Sequence, residues 1–373
     1  MDLLLGIDLG TGGCKVSIID ANGRLICEGS SEYHTFHQHP NWSEQNPDNW
    51  YVGFKHAFAK AVESCAIDVE KIVAIGVDAS THNVVLLDSD MNVLRNCIMW
   101  TDQRSTEEVK WLSDNFGQEL FDITYQQVSP TWTLPQLLWI RRHEEKTFNR
   151  IHRILFTKDY LRYYFTHSCE TDHVDAQGRM LLSIKYKNLS KRICDIAGIQ
   201  HKVLPPIKNP CDIAGGLVRE VALETGLRAN TPVIVGCSDT AAESYGVGIL
   251  DVGQCVVKMA TAGTVSIFTD VPRPSHKSLT YSSVVPGLWY ACMGTNSAAE
   301  SMRWFRDVFC REEVTREEKE HVSAYEIIDR EAATSPAGSN GLIFHPYLMG
   351  ERSPYWDANL RASFIGISAY HNK

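Results

Sequence analysis

A two-domain α/β fold is what this chain predicts, and three observations carry that expectation. Its 373 residues exceed what one hydrophobic core usually supports, about 250–300 residues. A strand–glycine turn–strand unit opens the chain, and a second unit of the same kind begins near residue 255. Around both, short apolar runs give way to helical patterns. The boundary is expected in the glycine-spaced stretch 246–253, which divides a first domain, 1–247, from a second, 248–373.

The elements follow in order. Residues 3–7, 16–19 and 24–30 read as strands, with Asn22-Gly23 supplying positive φ for the second hairpin turn. Residues 71–79 form a continuous apolar strand expected to be buried on both faces. Strands at 84–88 and 93–100 come next. Helical patterns occupy 135–148, 158–167 and 189–197, the last stopped by Gly198. A further buried strand lies at 231–236, followed by a helix at 240–245. In the second half, strands at 255–260 and 265–269 flank Thr261-Ala262-Gly263-Thr264, an echo of the opening turn. Helices at 297–309 and 316–333 and a strand at 361–368 complete the reading.

Composition narrows the function. With 44% hydrophobic and 22% charged residues the chain reads as an ordinary globular protein. A formal net charge of −9 argues against nucleic acid or an anionic membrane as partner. The first residues do not form a signal peptide, and no apolar stretch reaches the roughly 20 residues of a membrane span. Eleven scattered cysteines without a Cys-x-x-Cys pair suggest reduced thiols and a cytoplasmic protein.

Four segments carry chemistry. In Gly6-Ile7-Asp8-Leu9-Gly10-Thr11-Gly12-Gly13, the glycines let backbone N–H groups approach a polyphosphate, and Asp8 offers a carboxylate to Mg²⁺ or its water. Neither the P-loop nor the dinucleotide-binding pattern is present. In Gly236-Cys237-Ser238-Asp239-Thr240, Asp239 lies where a strand turns into a helix. It reads either as a general base towards a hydroxyl or as the helix N-cap. The runs Ala79-Ser80-Thr81-His82-Asn83 and Trp100-Thr101-Asp102-Gln103-Arg104 are dense in the donors and acceptors a polyhydroxylated ligand needs. His34, His37 and His39 lack nearby acidic or cysteine partners and read as no metal site.

Taken together, these segments resemble the FGGY family of carbohydrate kinases, within the actin-like ATPase superfamily. Further matching stretches are Pro40-Asn41-Trp42-Ser43-Glu44-Gln45, Lys158-Asp159-Tyr160-Leu161 and Pro346-Tyr347-Leu348-Met349-Gly350-Glu351-Arg352-Ser353-Pro354. Among the branches, xylulokinases are the most similar.

The resemblance implies two actin-like (ribonuclease H-like) domains with a central cleft, and Mg²⁺ and ATP as cofactors. Asp239 matches the family's catalytic base. Thr81, His82, Trp100 and Asp102 fall at sugar-contacting positions. Asp8, Thr11, Gly12 and Gly13 match the first phosphate element, with Asp8 the residue for Mg²⁺ or its water. Thr261, Gly263 and Thr264 match the second. The expected reaction is phosphorylation of a primary hydroxyl of D-xylulose or a related ketose or polyol, by a possible homodimer. The alternative is a catalytically degenerate sugar-binding or regulatory protein on the same scaffold.

Three departures stand out. Ser80-Thr81 occupies the place of Gln-Met, Gln136 that of a common lysine, and Ala260 that of a glycine. Complete members also continue past Lys373, so the second domain is expected to be incomplete.

Overall fold

The computed structural model describes residues 2–65, 67–357 and 359–372, with only the backbone of Glu318 and Glu320. Lys373 lies outside the described residues. The chain divides into two compact units, Met1–Leu250 with Tyr281–Leu288, and Asp251–Thr280 with Trp289–Lys373. Each is considered by itself.

In the first unit, β1 (Leu3–Leu9), β2 (Gly13–Asp20) and β3 (Leu25–Glu32) form an antiparallel meander. Their alternating burial points Leu3, Leu5, Ile7 and Leu9 inward together with Val16 and Ile18, as the period of two requires. Helix α1 (Asp48–Cys65) covers this sheet with Trp50, Phe54, Ala57, Phe58 and Ala61. The sequence reading assigned no element to this helix, although the spacing of those five residues is helical.

Strand β4 (Ile72–Ala79) runs parallel to β1, pairing Asp8 with Asp78. Strands β5 (Ile213–Gly216) and β6 (Pro232–Ile234) extend the sheet to the order β5-β6-β4-β1-β2-β3. The short β7 (Cys237–Ser238) also pairs with β4. Parallel strands beside an antiparallel meander give the mixed α/β sheet that the sequence led us to expect.

Several sequence expectations need correction. Only Gly23 of the Asn22-Gly23 pair has positive φ (80°), because the Asp20 carboxylate accepts from Asn22 N (2.8 Å) and Arg24 N (3.0 Å) and closes the turn. Strand β4 is not buried on both faces, since Val73 is 40% exposed. The strand expected at 93–100 shrinks to Cys97–Ile98, with Arg95 committed to ion pairs with Glu44 and Glu144. The helix expected from 189 begins at Lys191, because Asn188–Leu189 pairs with Leu182–Ser183 and Ser190 caps the helix. Its end is as expected, with Gly198 at φ 75°.

A charged cluster lies deep in this unit. It joins helix α2 (Thr157–Thr166) to the single-turn helix α3 (His173–Gln177). Lys158 Nζ meets Asp159 (2.5 Å), Asp172 (2.8 Å) and Asp175 (3.6 Å), while Arg162 and Arg179 complete the set. Three cations face three carboxylates, all essentially inaccessible, so burial is tolerated only as a balanced network.

In the second unit, β8 (Cys255–Met259), β9 (Gly263–Thr269) and β10 (Trp289–Thr295) run antiparallel. One face is packed through Ser266, Phe268, Tyr290 and Cys292. The other presents Val257, Met259, Val265, Ile267 and Met293 to solvent, a contiguous apolar face larger than isolated surface residues produce. The helix expected at 316–333 is two helices, Arg311–Glu320 and Ala324–Ala332, broken where His321 takes a left-handed φ of 55°. The strand expected at 361–368 is confined to Ser363–Ile365. Among the described residues all cysteines are free, and no helix is long and apolar enough to cross a membrane.

Candidate active site

The Gly10–Gly13 turn joins β1 to β2, and its carbonyls are tied down. Tyr33 donates its hydroxyl to Gly10 O and Gly13 O and its amide to Gly12 O, while Gln45 Nε2 donates to Thr11 O at 2.7 Å. Gly12 is exposed, and a Cβ there would meet nothing within 4 Å. Its φ also lies outside the left-handed region. Neither packing nor backbone conformation therefore demands glycine at position 12.

Two further strands bring acids to the same end of the sheet. Asp78 pairs in register with both Asp8 and Cys237, and Asp239 follows β7 directly. Gly236 makes this approach possible. Its φ is 79°, and a Cβ would lie 1.9 Å from Val77 O, so only glycine lets the chain pass β4 this closely.

Asp239 is the first residue of helix α4 (Asp239–Gly246), not its cap; Ser238 holds the cap position. The Asp239 carboxylate accepts from Thr240 N (2.7 Å) and Thr240 Oγ1 (3.3 Å). Burial, then the negative charges of Asp8 and Asp239, push the Asp78 carboxyl well above the usual range. Three carboxyls converge here with an excess of negative charge.

The polar segments sit beside the turn. Trp100 Nε1 donates to Thr11 Oγ1 at 2.8 Å, and Trp100 N to Asn83 Oδ1 at 2.7 Å. Asn83 is buried and bonds Ser80 and Thr157 through Nδ2. The position expected to contact sugar is thus hydrogen-bonded directly to the position expected to contact phosphate.

Asp102 is placed differently. Its Oδ2 accepts from Ser43 N (2.6 Å) and Arg104 Nη2 (2.8 Å), and its Oδ1 from Arg104 N (2.8 Å) and Nε (2.9 Å). Arg104 also pairs with Glu44 and lies 3.7 Å over the Trp42 ring. This buried fork orders the loop around it.

His82 has a φ of 75°, unusual for a residue with a side chain. Its Nε2 lies 2.6 Å from Thr81 Oγ1, and its ring packs edge-on against Trp132. Gly178 faces the ring so closely that a Cβ would sit 2.4 Å from His82 Cε1. Burial, aided by the Arg179 charge and opposed by the Gly178 backbone, drives the His82 pKa down to about 3.

The sign follows from linkage. The unfolded chain takes up a proton near pH 6.5 that the folded chain refuses until about 3, so this group removes stability as pH falls through that window. The His82 ring is expected to remain neutral from pH 8 to pH 5. Long-range ¹H–¹⁵N spectra check this, and an imidazolium signal at pH 6 would contradict it.

In the second unit, the Thr261-Ala262 turn is clamped to the start of helix α5 (Ala299–Phe309). Thr261 O accepts from Ala298 N (2.9 Å) and Glu300 N (3.3 Å), and Ala260 O from Ala299 N (2.9 Å). A Cβ on Gly263 would come within 2.9 Å of Ala298 Cβ, so that glycine has a packing reason. The buried Glu351 accepts from Thr295 Oγ1 (2.6 Å) and Arg352 N (2.7 Å) and fixes the end of β10.

Sequence reasoning missed Asp78 and Gly178. Asp78 is the penultimate residue of its apolar strand just as Asp8 is of its own, and that shared position was a usable signal. Gly178 carries none, since its constraint comes from a side chain 96 positions away.

The acids fit a Mg²⁺ ion held mainly by phosphate oxygens and water. Their mutual repulsion favours a cation, yet among the described residues no group of three or more His, Cys, Asp or Glu could hold one alone.

Two family profiles account for nearly the whole chain. The N-terminal domain of the FGGY family of carbohydrate kinases matches residues 3–246, and the C-terminal domain matches 256–373. With the mixed sheet, they make this chain a carbohydrate kinase. It belongs to the FGGY family, whose members are ATP-dependent phosphotransferases.

The chain is similar to xylulose kinase from Bacillus subtilis (strain 168), at 33% identity over 375 residues, covering 100% of this chain and 73% of that one. The crystal structure of gluconate kinase from Lactobacillus acidophilus superposes with a TM-score of 0.90 at 27% identity, covering 100% of this chain and 73% of its own. A ligand-bound xylulose kinase from the same organism gives 0.89 at 26%, covering 100% and 74%.

Proposed function

We propose that the chain transfers the γ-phosphoryl group of ATP to a primary hydroxyl of a small ketose, D-xylulose or a close relative, with Asp239 as general base. The observation that carries this reading is the placement of Asp239 at the head of α4. There it converges with Asp8 and Asp78 beside a glycine turn that is hydrogen-bonded to Trp100. Asp239 takes the hydroxyl proton as oxygen attacks phosphorus and ADP leaves. Thr11, Gly12 and Gly13 hold phosphate oxygens, and the open space at Gly12 supports a close backbone approach. Thr261, Gly263 and Thr264 supply the second phosphate element in the domain beginning at 248.

When bound, Mg²⁺ neutralises phosphate charge; Asp8, through water, and Asp78 would hold it. Thr81 and His82 meet the sugar, and Asp102 acts through the loop it orders around Trp100. The relatives' names, xylulose kinase and gluconate kinase, support a small polyhydroxylated acceptor. We place the reaction in the cytoplasm and the enzyme as a homodimer, which light scattering would check.

Sugar-dependent ADP release tests the assignment. D-Xylulose is expected to stimulate ATP turnover more than D-gluconate or glycerol. Preference for gluconate would move the substrate but keep the enzyme class. ATP turnover indifferent to every sugar would discard the reading.

A further inference from the structure

A cavity of about 950 Å³ opens in the first unit, and neither Asp239 nor His82 lines it. Its lining carries Arg153, Lys187, Lys202 and Lys208 against a single acid, Asp212, in a chain whose formal net charge is −9. Among the described residues, Arg153, Lys202 and Lys208 have no carboxylate within ion-pair distance. Arg153 is instead anchored on the carbonyls of Lys202 (3.1 Å) and Leu204 (3.5 Å). Lys187 is partly desolvated, and burial lowers its pKa. Arg153, Lys202 and Lys208, brought to one cavity without a carboxylate partner, raise the local positive potential and favour an anion there.

The remaining walls mix apolar side chains, such as Leu204, Ile207 and Val284, with the polar Asn188, Asn209 and His201. A ligand filling this space therefore has a carbon body and an anionic end, and the volume is that of an ordinary small-molecule site. We infer that this cavity binds a small phosphate monoester of sugar-phosphate size, at a site separate from the phosphoryl-transfer centre.

The cavity reaches that centre through its walls. Val284 packs with Val174, Cys237 and Ala241, at the root of the Asp239 helix. His173, also in the wall, bonds Ser282 Oγ at 3.0 Å and opens the helix that leads to Gly178, against which His82 packs. Occupancy can thereby bias both the base and the sugar-side histidine. This regulatory consequence rests on the function proposed above; binding itself does not.

The test is calorimetric titration of the 373-residue chain with ribose 5-phosphate, D-ribose and inorganic phosphate. Ribose 5-phosphate is expected to bind at one saturable site, more tightly than inorganic phosphate, with D-ribose inert. The double variant Lys202→Glu/Lys208→Glu should weaken it by about tenfold or more. The charge-matched control Lys110→Glu/Lys191→Glu, on exposed lysines outside the cavity, should change it less than about threefold.

No binding of ribose 5-phosphate, equal binding of D-ribose, or binding that survives in the cavity variant overturns the inference. Equal loss in the control also overturns it. Inorganic phosphate binding as tightly as the ester would reduce the site to one for free phosphate. Sugar-dependent turnover in Lys202→Glu/Lys208→Glu without effector should stay near the parent value, so a failed kinase assignment and a failed cavity assignment give different results.

Discussion

Replacing Asp239 by asparagine is expected to lower kcat for sugar phosphorylation by about 10²- to 10⁴-fold while leaving sugar binding nearly unchanged. The amide has the shape of the carboxylate, and its oxygen still accepts from Thr240 N, so the head of α4 keeps its geometry. What is lost is the ability to accept the hydroxyl proton. Stability should move the other way, because the parent crowds Asp8, Asp78 and Asp239 together, and part of the raised Asp78 pKa comes from the Asp239 charge. Removing one of three mutually repelling groups lets Asp78 ionise more readily, and the thermal midpoint should not fall. Activity lost at undiminished stability is the signature of a group kept for chemistry. Steady-state kinetics with a sugar-induced melting shift separate the two effects. A variant retaining even a tenth or so of parental kcat would remove Asp239 from the role of base.

What could be read from the sequence was local. The Gly6–Gly13 turn, the strand before it and the helix after Asp239 each follow from neighbouring residues. The stop at Gly198 does too, because a left-handed residue is a local demand. Asp78 escaped because its meaning lies in a parallel pairing with a strand nearly 70 residues earlier. Asp102 is matched to a sugar-contacting position by the family resemblance, among Trp100 and Arg104. What the sequence does not show is that both its oxygens accept from Arg104 and Ser43, a choice fixed by how two loops fold together. The helix expected at 316–333 failed for a related reason. Its charged sequence favours helix throughout, and the break at His321 is a left-handed turn that composition does not announce.

Lys158→Met should be the most damaging single substitution in the first unit outside the catalytic centre. Methionine fills a similar volume, so the loss is electrostatic. Asp159, Asp172 and Asp175 would remain buried with only Arg162 and Arg179 to balance them. Breaking a buried ionic network by removing one partner costs about 3–5 kcal/mol, a fall of roughly 10 °C in melting temperature for a unit of this size.

The pH dependence gives the prediction its sign. Burial, only partly offset by Arg179 and Lys158, raises Asp175 to about 6. Its protonation therefore favours the folded state at low pH, and that contribution is lost as pH rises from about 4 towards 6. Burial also opposes ionisation of Asp159, but the Lys158 charge, with Arg162 and Arg179, outweighs it and holds that group near 2. Without Lys158 both carboxyls should take up protons more readily, so the variant should lose less stability at pH 5 than at pH 8. Adding Asp175→Asn should then restore part of the loss at pH 8, because it removes one of three negative charges that the two remaining arginines do not balance.

Denaturant titrations at the two pH values provide the measurement. A cost below about 1 kcal/mol at pH 8 would mean that the cluster is more hydrated than its geometry indicates. The same variant should raise KM for the sugar, since Asp172 caps the helix leading to Gly178, and Gly178 sets the position of His82.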